Sequence, residues 1–239
     1  MLSKITCYLD CGMFKIGLSL ELTCAVSPYS YFALLYLEKN KQALTTHNVE
    51  IDIIPVFLGG INVGSGNKPP WTLPAKAAYS GYDSARAKKY FGAEAVKTPD
   101  FFPIMSLLPQ RALCFVKEQY PDAFVSTFLD IFEAMWKNGK DVSKSDTFAE
   151  TLQLRFSSEE AKVILSSAIS APFKQRLNEN TKEALDRGAF GAPWFWVRNA
   201  KGAEEPFFGS DRFHYMWEYL GLPWKDMELV PHGPPKAKI

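Results

Sequence analysis

The order of apolar patterns along the chain predicts an α/β fold in which a βαβ unit and a ββα unit are separated by a long helical segment. Three observations carry the prediction. Residues 5–9 and 49–57 are β-rich and flank a helical pattern, residues 65–187 read as one helix after another, and from residue 194 the β pattern returns twice before a final amphipathic helix.

Taken in order, ITCYL at 5–9 is a short β-rich run, and VEIDIIPVF at 49–57 alternates and then turns apolar, as a largely buried strand does. Between them, residues 28–44 place Tyr31, Leu34, Leu35 and Leu37 at helical spacing. Strand, helix, strand in this order implies a parallel pair with a right-handed crossover. In the helical segment, PDAFVSTFLDIFEAMWKNG sets Phe124, Phe128, Ile131, Phe132 and Met135 on one face and stops at Gly139. SSEEAKVILSSA opens with a capping box, Ser157 and Glu160, over a stripe of Ala161, Ile164 and Leu165, and residues 173–186 make another helix. These are packing signals and carry no chemistry. A strand then starts at about Trp194, NAKGAEE is a turn, and PFFG is a second short strand. GSDRFHYMWEYLG reads as a helix beginning at Ser210 or Asp211, turning Phe213, Met216, Trp217 and Leu220 inward and ending at Gly221. The assembled order is the thioredoxin topology split by helices. It divides the chain into residues 1–64 with 188–239, and an all-helical insertion at 65–187.

At 239 residues, with 47% hydrophobic and 14% aromatic content, the chain has ample material for the core of an enzyme-sized globule. Lys+Arg 27 against Asp+Glu 26 leaves a formal charge of +1, so no broad field draws it to nucleic acid or an anionic membrane. No apolar run approaches the roughly 18 residues of a membrane helix, and the N-terminus lacks the order of a signal peptide. A soluble intracellular protein is expected. Cys7, Cys11, Cys24 and Cys114 contain no Cys-x-x-Cys pair, and His47, His214 and His232 are scattered. The expectation is reduced, structural thiols and no metal.

The stretch SPYS at 27–30 stands where a loop becomes the first helix. Serine is a good N-cap and proline suits the first helical position, which is sufficient for structure. A helix N-terminus is also an anion site, favouring phosphate, carboxylate or thiolate. Cysteines in place of Ser27 and Ser30 would make a redox motif; with no thiol at either position, the sulfur of any chemistry here comes from a ligand. Three further stretches line up with it: SGNKPP at 65–70, GAFGAP at 188–193 and FGSDR at 208–212. Together, in this order, they resemble the kappa-class glutathione S-transferases over nearly the whole chain from Val26 onward. That family has a DsbA-like fold, a thioredoxin-like domain interrupted by a helical domain, and is related to 2-hydroxychromene-2-carboxylate isomerases.

The resemblance implies a glutathione site, and each stretch makes physical sense within one. Ser27, with Pro28 and Tyr29 beside it, directs its hydroxyl at the cysteinyl sulfur while the helix N-terminus adds positive potential. A hydrogen bond to a charged acceptor is worth roughly 1.5–3 kcal/mol, so the thiol pKa falls on the order of one to two units. A cis bond between Ala192 and Pro193 leaves backbone groups to which the cysteinyl part of glutathione adds as a strand. Ser210 suits the γ-glutamyl carboxylate and Asp211 its ammonium. Asn67 bonds the glycyl end with Lys68 as counter-charge, and Trp71, Tyr79, Phe101 and Phe102 are candidates for the hydrophobic acceptor. The implied activity is that of a glutathione transferase: the glutathione thiolate, a co-substrate with no metal, attacks a hydrophobic electrophile or reduces a peroxide. A homodimer is implied, without nucleic acid or membrane insertion. A glutathione-dependent 2-hydroxychromene-2-carboxylate isomerase and a non-catalytic glutathione or peptide-binding module are the alternatives.

Residues 12–25, GMFKIGLSLELTCA, depart from the family pattern. Without them the chain reads ITCYLDCVSPYSYF, which fits that pattern closely. Alternation of Ile16, Leu18, Leu20 and Leu22 would make an extra edge strand. The preferred expectation is a retained intron, since permitted codons can spell GGTATGTT at Gly12-Met13-Phe14, CTAAC at Leu22-Thr23 and GCAGTC at Ala25-Val26. A chain joining Cys11 directly to Val26 is then expected to be more soluble and more active. The last residues, Ala237-Lys238-Ile239, resemble the peroxisomal Ser-Lys-Leu address, with a mitochondrial or cytosolic location as the alternative.

Overall fold

The computed structural model describes residues 2–12 and 28–225. Four strands, β1 (Ser3–Leu9), β2 (Val49–Pro55), β3 (Trp194–Arg198) and β4 (Glu204–Phe208), form one sheet in the order β2-β1-β3-β4. β1 and β2 are parallel, from Ser3 opposite Val49 to Leu9 opposite Pro55, and β3 runs antiparallel to both β1 and β4. Helix α1 (Tyr29–Thr46) is the crossover between the parallel pair. This is the anticipated thioredoxin-like arrangement, with helices α3 (Pro74–Tyr90), α4 (Leu107–Gln119), α5 (Pro121–Trp136), α6 (Ser145–Leu152), α7 (Ser158–Ala168) and α8 (Ala171–Asp186) inserted between β2 and β3.

Period-two alternation sends the two halves of each strand to different cores. Ile5, Cys7 and Leu9 of β1, Phe195 and Val197 of β3 and Phe207 of β4 face α1 and the last helix, α9 (Phe213–Leu220), in the larger core, which continues into α5 through Phe124, Phe128, Ile131 and Phe132. Tyr8 and Trp194 point the other way, toward α8 and α2 (Leu58–Ser65). The capping box of α7 is present, with Glu160 N–H donating to Ser157 Oγ at 3.3 Å and Ser157 N–H to Glu160 Oε2 at 2.8 Å. Cys7, Cys11 and Cys114 are free thiols, all buried. Among the described residues no helix is long and apolar enough to cross a membrane.

Several boundaries differ from the sequence expectation, each for a local reason. β2 ends at Pro55 rather than Phe57, because the chain turns there into α2, a helix hidden from propensity by its glycines. A Cβ on Gly64 would lie 2.5 Å from Leu185 Cδ1, so glycine is what lets α2 and α8 approach. α5 stops at Trp136, short of Gly139, which takes a positive φ in the following turn. α9 starts at Phe213 rather than at Ser210 or Asp211; its first turn closes with Met216 N–H on Arg212 C=O, leaving Ser210 and Asp211 in the preceding turn. α1 starts at Tyr29, with Pro28 at the cap position. Leu165 is half-buried rather than inward. Of the segment 12–25 only Gly12 is described, and Ser27, Cys24 and the tripeptide at 237–239 lie outside the described residues.

Candidate active site

The start of α1 and the loops that follow α2 and precede β3 and α9 open onto a cleft of about 1330 Å³. Its lining brings together the four stretches singled out in the sequence, represented by Tyr29, Asn67 and Lys68, Ala192 and Pro193, and Ser210 and Asp211. Pro28 is buried behind this lining. Ser27 precedes Pro28 directly in the chain and lies outside the described residues. The 18-residue α1 has no acidic side chain in its first turn, so nothing on the helix itself neutralises the partial positive charge at that end.

Each loop is fastened in its own way. The Ala192–Pro193 peptide is cis, as expected, and Gly209 N–H donates to Pro193 C=O at 3.2 Å, tying the turn after β4 to the entry of β3. Asn67 is more engaged than the sequence suggested. Its Nδ2 donates to Phe190 C=O at 2.6 Å and its Oδ1 accepts from Lys68 N–H at 2.9 Å, so it clamps the loop after α2 to the loop that carries the cis bond. One amide hydrogen remains for a ligand. Ser210 is buried yet lines the cleft, while Asp211 is exposed and paired with the Arg212 guanidinium. Tyr29 donates its hydroxyl to Asp83 of α3; burial, reinforced by that carboxylate, pushes the phenol well above its ordinary range and keeps it neutral.

Of the aromatic residues proposed for the acceptor, only Tyr79 lines the cleft. Trp71 packs on the core between α2 and α8, Phe102 is tilted against Trp136 with ring centres 5.4 Å apart, and Phe101 is absent from the lining. The aromatic wall is instead built by Tyr36 of α1, Tyr90 of α3, Phe91, Phe213 and Trp217 of α9, and Trp224. Tyr36 lies 4.4 Å from Phe213 and 6.4 Å from Trp217, centre to centre. Part of the signal for this wall was present in YSGYDSARAKKY: of the three tyrosines on a helix that buries only Ala77, Tyr79 and Tyr90 line the cleft.

A second residue that sequence reasoning passed over is Asp10, at the end of β1. It is buried (5% exposed) and accepts four hydrogen bonds, from Gly12 N–H and Gln110 Nε2 on Oδ1 (both 3.0 Å) and from Leu58 N–H (2.6 Å) and Ser106 Oγ (3.0 Å) on Oδ2. Burial pushes its carboxyl up to about 6, against the opposing pull of these donors. Among the described residues no group of three or more His, Cys, Asp or Glu side chains is placed to hold a metal.

A family model described as a DSBA-like thioredoxin domain matches residues 25–221. Glutathione S-transferase kappa 2 of Caenorhabditis elegans is 30% identical over 211 residues, covering 84% of this chain and 90% of the relative. Glutathione S-transferase kappa 1 of the same organism is 29% identical over 202 residues, covering 83% and 88%. Among solved structures, a 2-hydroxychromene-2-carboxylate isomerase superposes with a TM-score of 0.70 at 20% identity, over 91% of this chain and 94% of that one. The chain therefore belongs to the DSBA-like thioredoxin domain family, as a member of its kappa-class glutathione S-transferase branch.

Proposed function

We propose that the protein is a glutathione transferase of kappa type in which Ser27 stabilises the glutathione thiolate at the N-terminus of α1. The observation that carries this reading is the convergence of Tyr29, Asn67, Ala192 and Ser210, from four separate stretches of chain, on one cleft at that helix end. Ser210 and Asp211 take the γ-glutamyl group, the Ala192 backbone pairs with the cysteinyl unit, and Asn67 with Lys68 meets the glycyl carboxylate. The cysteinyl proton leaves to solvent, and the sulfur lone pair then forms a C–S bond with an electrophilic carbon as the leaving group departs with its electrons. With an alkyl hydroperoxide, the thiolate takes the terminal oxygen as the O–O bond breaks, giving the sulfenic acid and an alkoxide that takes a proton from solvent to become the alcohol, and a second glutathione converts the sulfenic acid to glutathione disulfide and water. The aromatic wall around Tyr36, Tyr90 and Trp217 suits an apolar electrophile. A homodimer is part of the same reading, on the family resemblance alone. The isomerase alternative draws on a fold likeness at 20% identity, which speaks to architecture.

Ser27→Ala tests the proposal. Losing a donor to a charged acceptor is expected to raise the pKa of bound glutathione by about one to two units and to lower kcat at neutral pH on the order of tenfold, with a smaller change in glutathione affinity. The ultraviolet absorbance of the bound thiolate, titrated alongside kcat, measures it. Superimposable profiles for the variant and the unmodified enzyme would remove Ser27 from the mechanism.

A further inference from the structure

The cleft is larger than a tripeptide needs, and its charges do not balance. Ligand pockets commonly run to about 300–1,000 Å³, so about 1330 Å³ leaves room for a second molecule beside glutathione. Five Lys and Arg side chains line it, Lys68, Lys76, Arg86, Arg212 and Lys225, against two carboxylates, Asp83 and Asp211. Both carboxylates are engaged, Asp83 by the Tyr29 hydroxyl and Asp211 by the Arg212 guanidinium. On the proposed function Lys68 meets the glycyl carboxylate. Lys76, Arg86 and Lys225 remain, and among the described residues none of the three has a carboxylate within ion-pair distance.

Arg86 differs from the two lysines by its place. It lies on the cleft face of α3, three residues after Asp83 and four before Tyr90, about 4.5 and 6 Å along the helix axis. Asp83 is bonded to Tyr29, the first residue of α1, and Phe91 meets Tyr36 of α1 edge-on with ring centres 5.9 Å apart. The steps from Asp83 to Phe91 and from Tyr29 to Tyr36 each cover about 10–12 Å, so the two helices run alongside each other in the same direction. Arg86 stands between their two points of contact. On one side of it is the start of α1; on the other is the aromatic wall, where Tyr36 stacks on Phe213 at 4.4 Å and on Trp217 at 6.4 Å. A ring seated on that wall with its reacting carbon toward the start of α1 comes beside a cation that has no counter-ion. A guanidinium offers parallel N–H donors that match a carboxylate, and its flat face suits aromatic neighbours.

We propose that the acceptor is an aromatic electrophile that carries a carboxylate, and that Arg86 selects it by pairing with that group. This specificity presupposes the transferase reading of the cleft. With an aryl chloride, the glutathione sulfur bonds to the ring carbon and chloride leaves with its electron pair, while the carboxylate stays paired with Arg86 throughout. A contact kept in ground state and transition state alike weighs on KM more than on kcat. An effect of Arg86 on the thiolate instead would fall on every acceptor equally, which separates the two roles.

The test compares 4-chloro-3,5-dinitrobenzoate with 4-chloro-3,5-dinitrobenzamide, each rate divided by that of the uncatalysed reaction with glutathione. In the unmodified protein kcat/KM should favour the benzoate by about tenfold, the range of a charge-assisted bond discounted for the exposure of Arg86. Arg86→Gln should cost the benzoate about tenfold more than the benzamide, mainly through KM. Arg86→Lys, which keeps the charge without the planar fork, should recover about half of that loss on a logarithmic scale. Calorimetry with 3,5-dinitrobenzoate and 3,5-dinitrobenzamide, which have no leaving group, reads the same preference as affinity on the glutathione-loaded protein. No preference in the unmodified protein, a preference that survives Arg86→Gln, or equal losses for the two acceptors overturns the proposal. An equal loss of preference in Lys76→Gln would mark a diffuse field and overturn the assignment to Arg86. The two failures are distinguishable: turnover of both acceptors without preference overturns the carboxylate site alone, whereas no turnover, beside a benzoate preference in binding that Arg86→Gln removes, overturns the transferase reading alone.

Discussion

Helices α5 and α3 come from the same inserted stretch and are of nearly equal length, 16 and 17 residues, but they are made differently. α5 buries Phe124, Phe128, Ile131, Phe132, Met135 and Trp136, with Phe128 and Phe132 stacked at 5.0 Å. α3 buries Ala77 alone, leaves Tyr79, Tyr82 and Tyr90 more than half exposed, and turns Tyr79, Asp83, Arg86, Ala87 and Tyr90 toward the cleft. The i, i+4, i+7, i+8, i+11 spacing of those five residues is a helical face, but one that faces a void instead of a core. One insertion therefore supplies both scaffold and site, and the two can be told apart by where the apolar area goes. The hydrogen bond from Tyr29 to Asp83 is what fastens the thinly packed wall to the start of α1.

The contrast can be broken by mutation. Phe128→Ala should lower unfolding stability by about 3–5 kcal/mol, the usual result of emptying a ring-sized volume in a packed core, and chemical denaturation measures it. A loss below about 1 kcal/mol would mean that α5 is not the scaffold. Tyr29→Phe sharpens the comparison from the other side. A bond to a carboxylate is worth roughly 1.5–3 kcal/mol when dry and less at this half-exposed position, so about 1 kcal/mol of local stability should be lost. Amide exchange along α3 should then quicken by about fivefold, with the α5 amides unchanged; equal quickening in both helices would show that they open as one unit. The smallest effect belongs to Tyr82→Ala. At 68% exposure and outside the cleft lining, it should change stability by no more than about 0.5 kcal/mol, and a larger drop in thermal midpoint would reveal packing that the exposure conceals.

What the sequence disclosed follows the physics of each element. Strands with clean alternation and α5, α7 and α8 with their apolar stripes were legible because their partners are generic: any core will bury Phe128 or Ile164. α2 was hidden because Gly60 and Gly64 answer to particular neighbours, Thr181 and Leu185, which only the tertiary fold supplies. The same divide runs through the site. The loops with short, ordered motifs could be read, down to the cis bond before Pro193, whereas Asp10, Asp83 and the aromatic wall depend on contacts across 50 or more residues of chain, as in the bond between Tyr29 and Asp83, 54 residues apart. Gly12 adds a detail to the reading of segment 12–25. A Cβ there would sit 2.9 Å from Ile104 Cγ1 and 3.0 Å from Ser106 Cβ, so a chain joining Cys11 to Val26 must shift Ile104 to seat its valine.

The buried cysteines have a bearing on survival in service. On the proposed function the enzyme would work among electrophiles and peroxides, reagents that alkylate or oxidise any reactive sulfur left exposed. Cys7, Cys11 and Cys114 are sequestered, and burial pushes the Cys114 thiol up to about 12 and the other two well above their ordinary value. Reactivity belongs to the thiolate, so burial of these three thiols would protect them from such compounds. On that reading the nucleophile is borrowed from a diffusible tripeptide that departs with each product, and the damage of every turnover would leave with it.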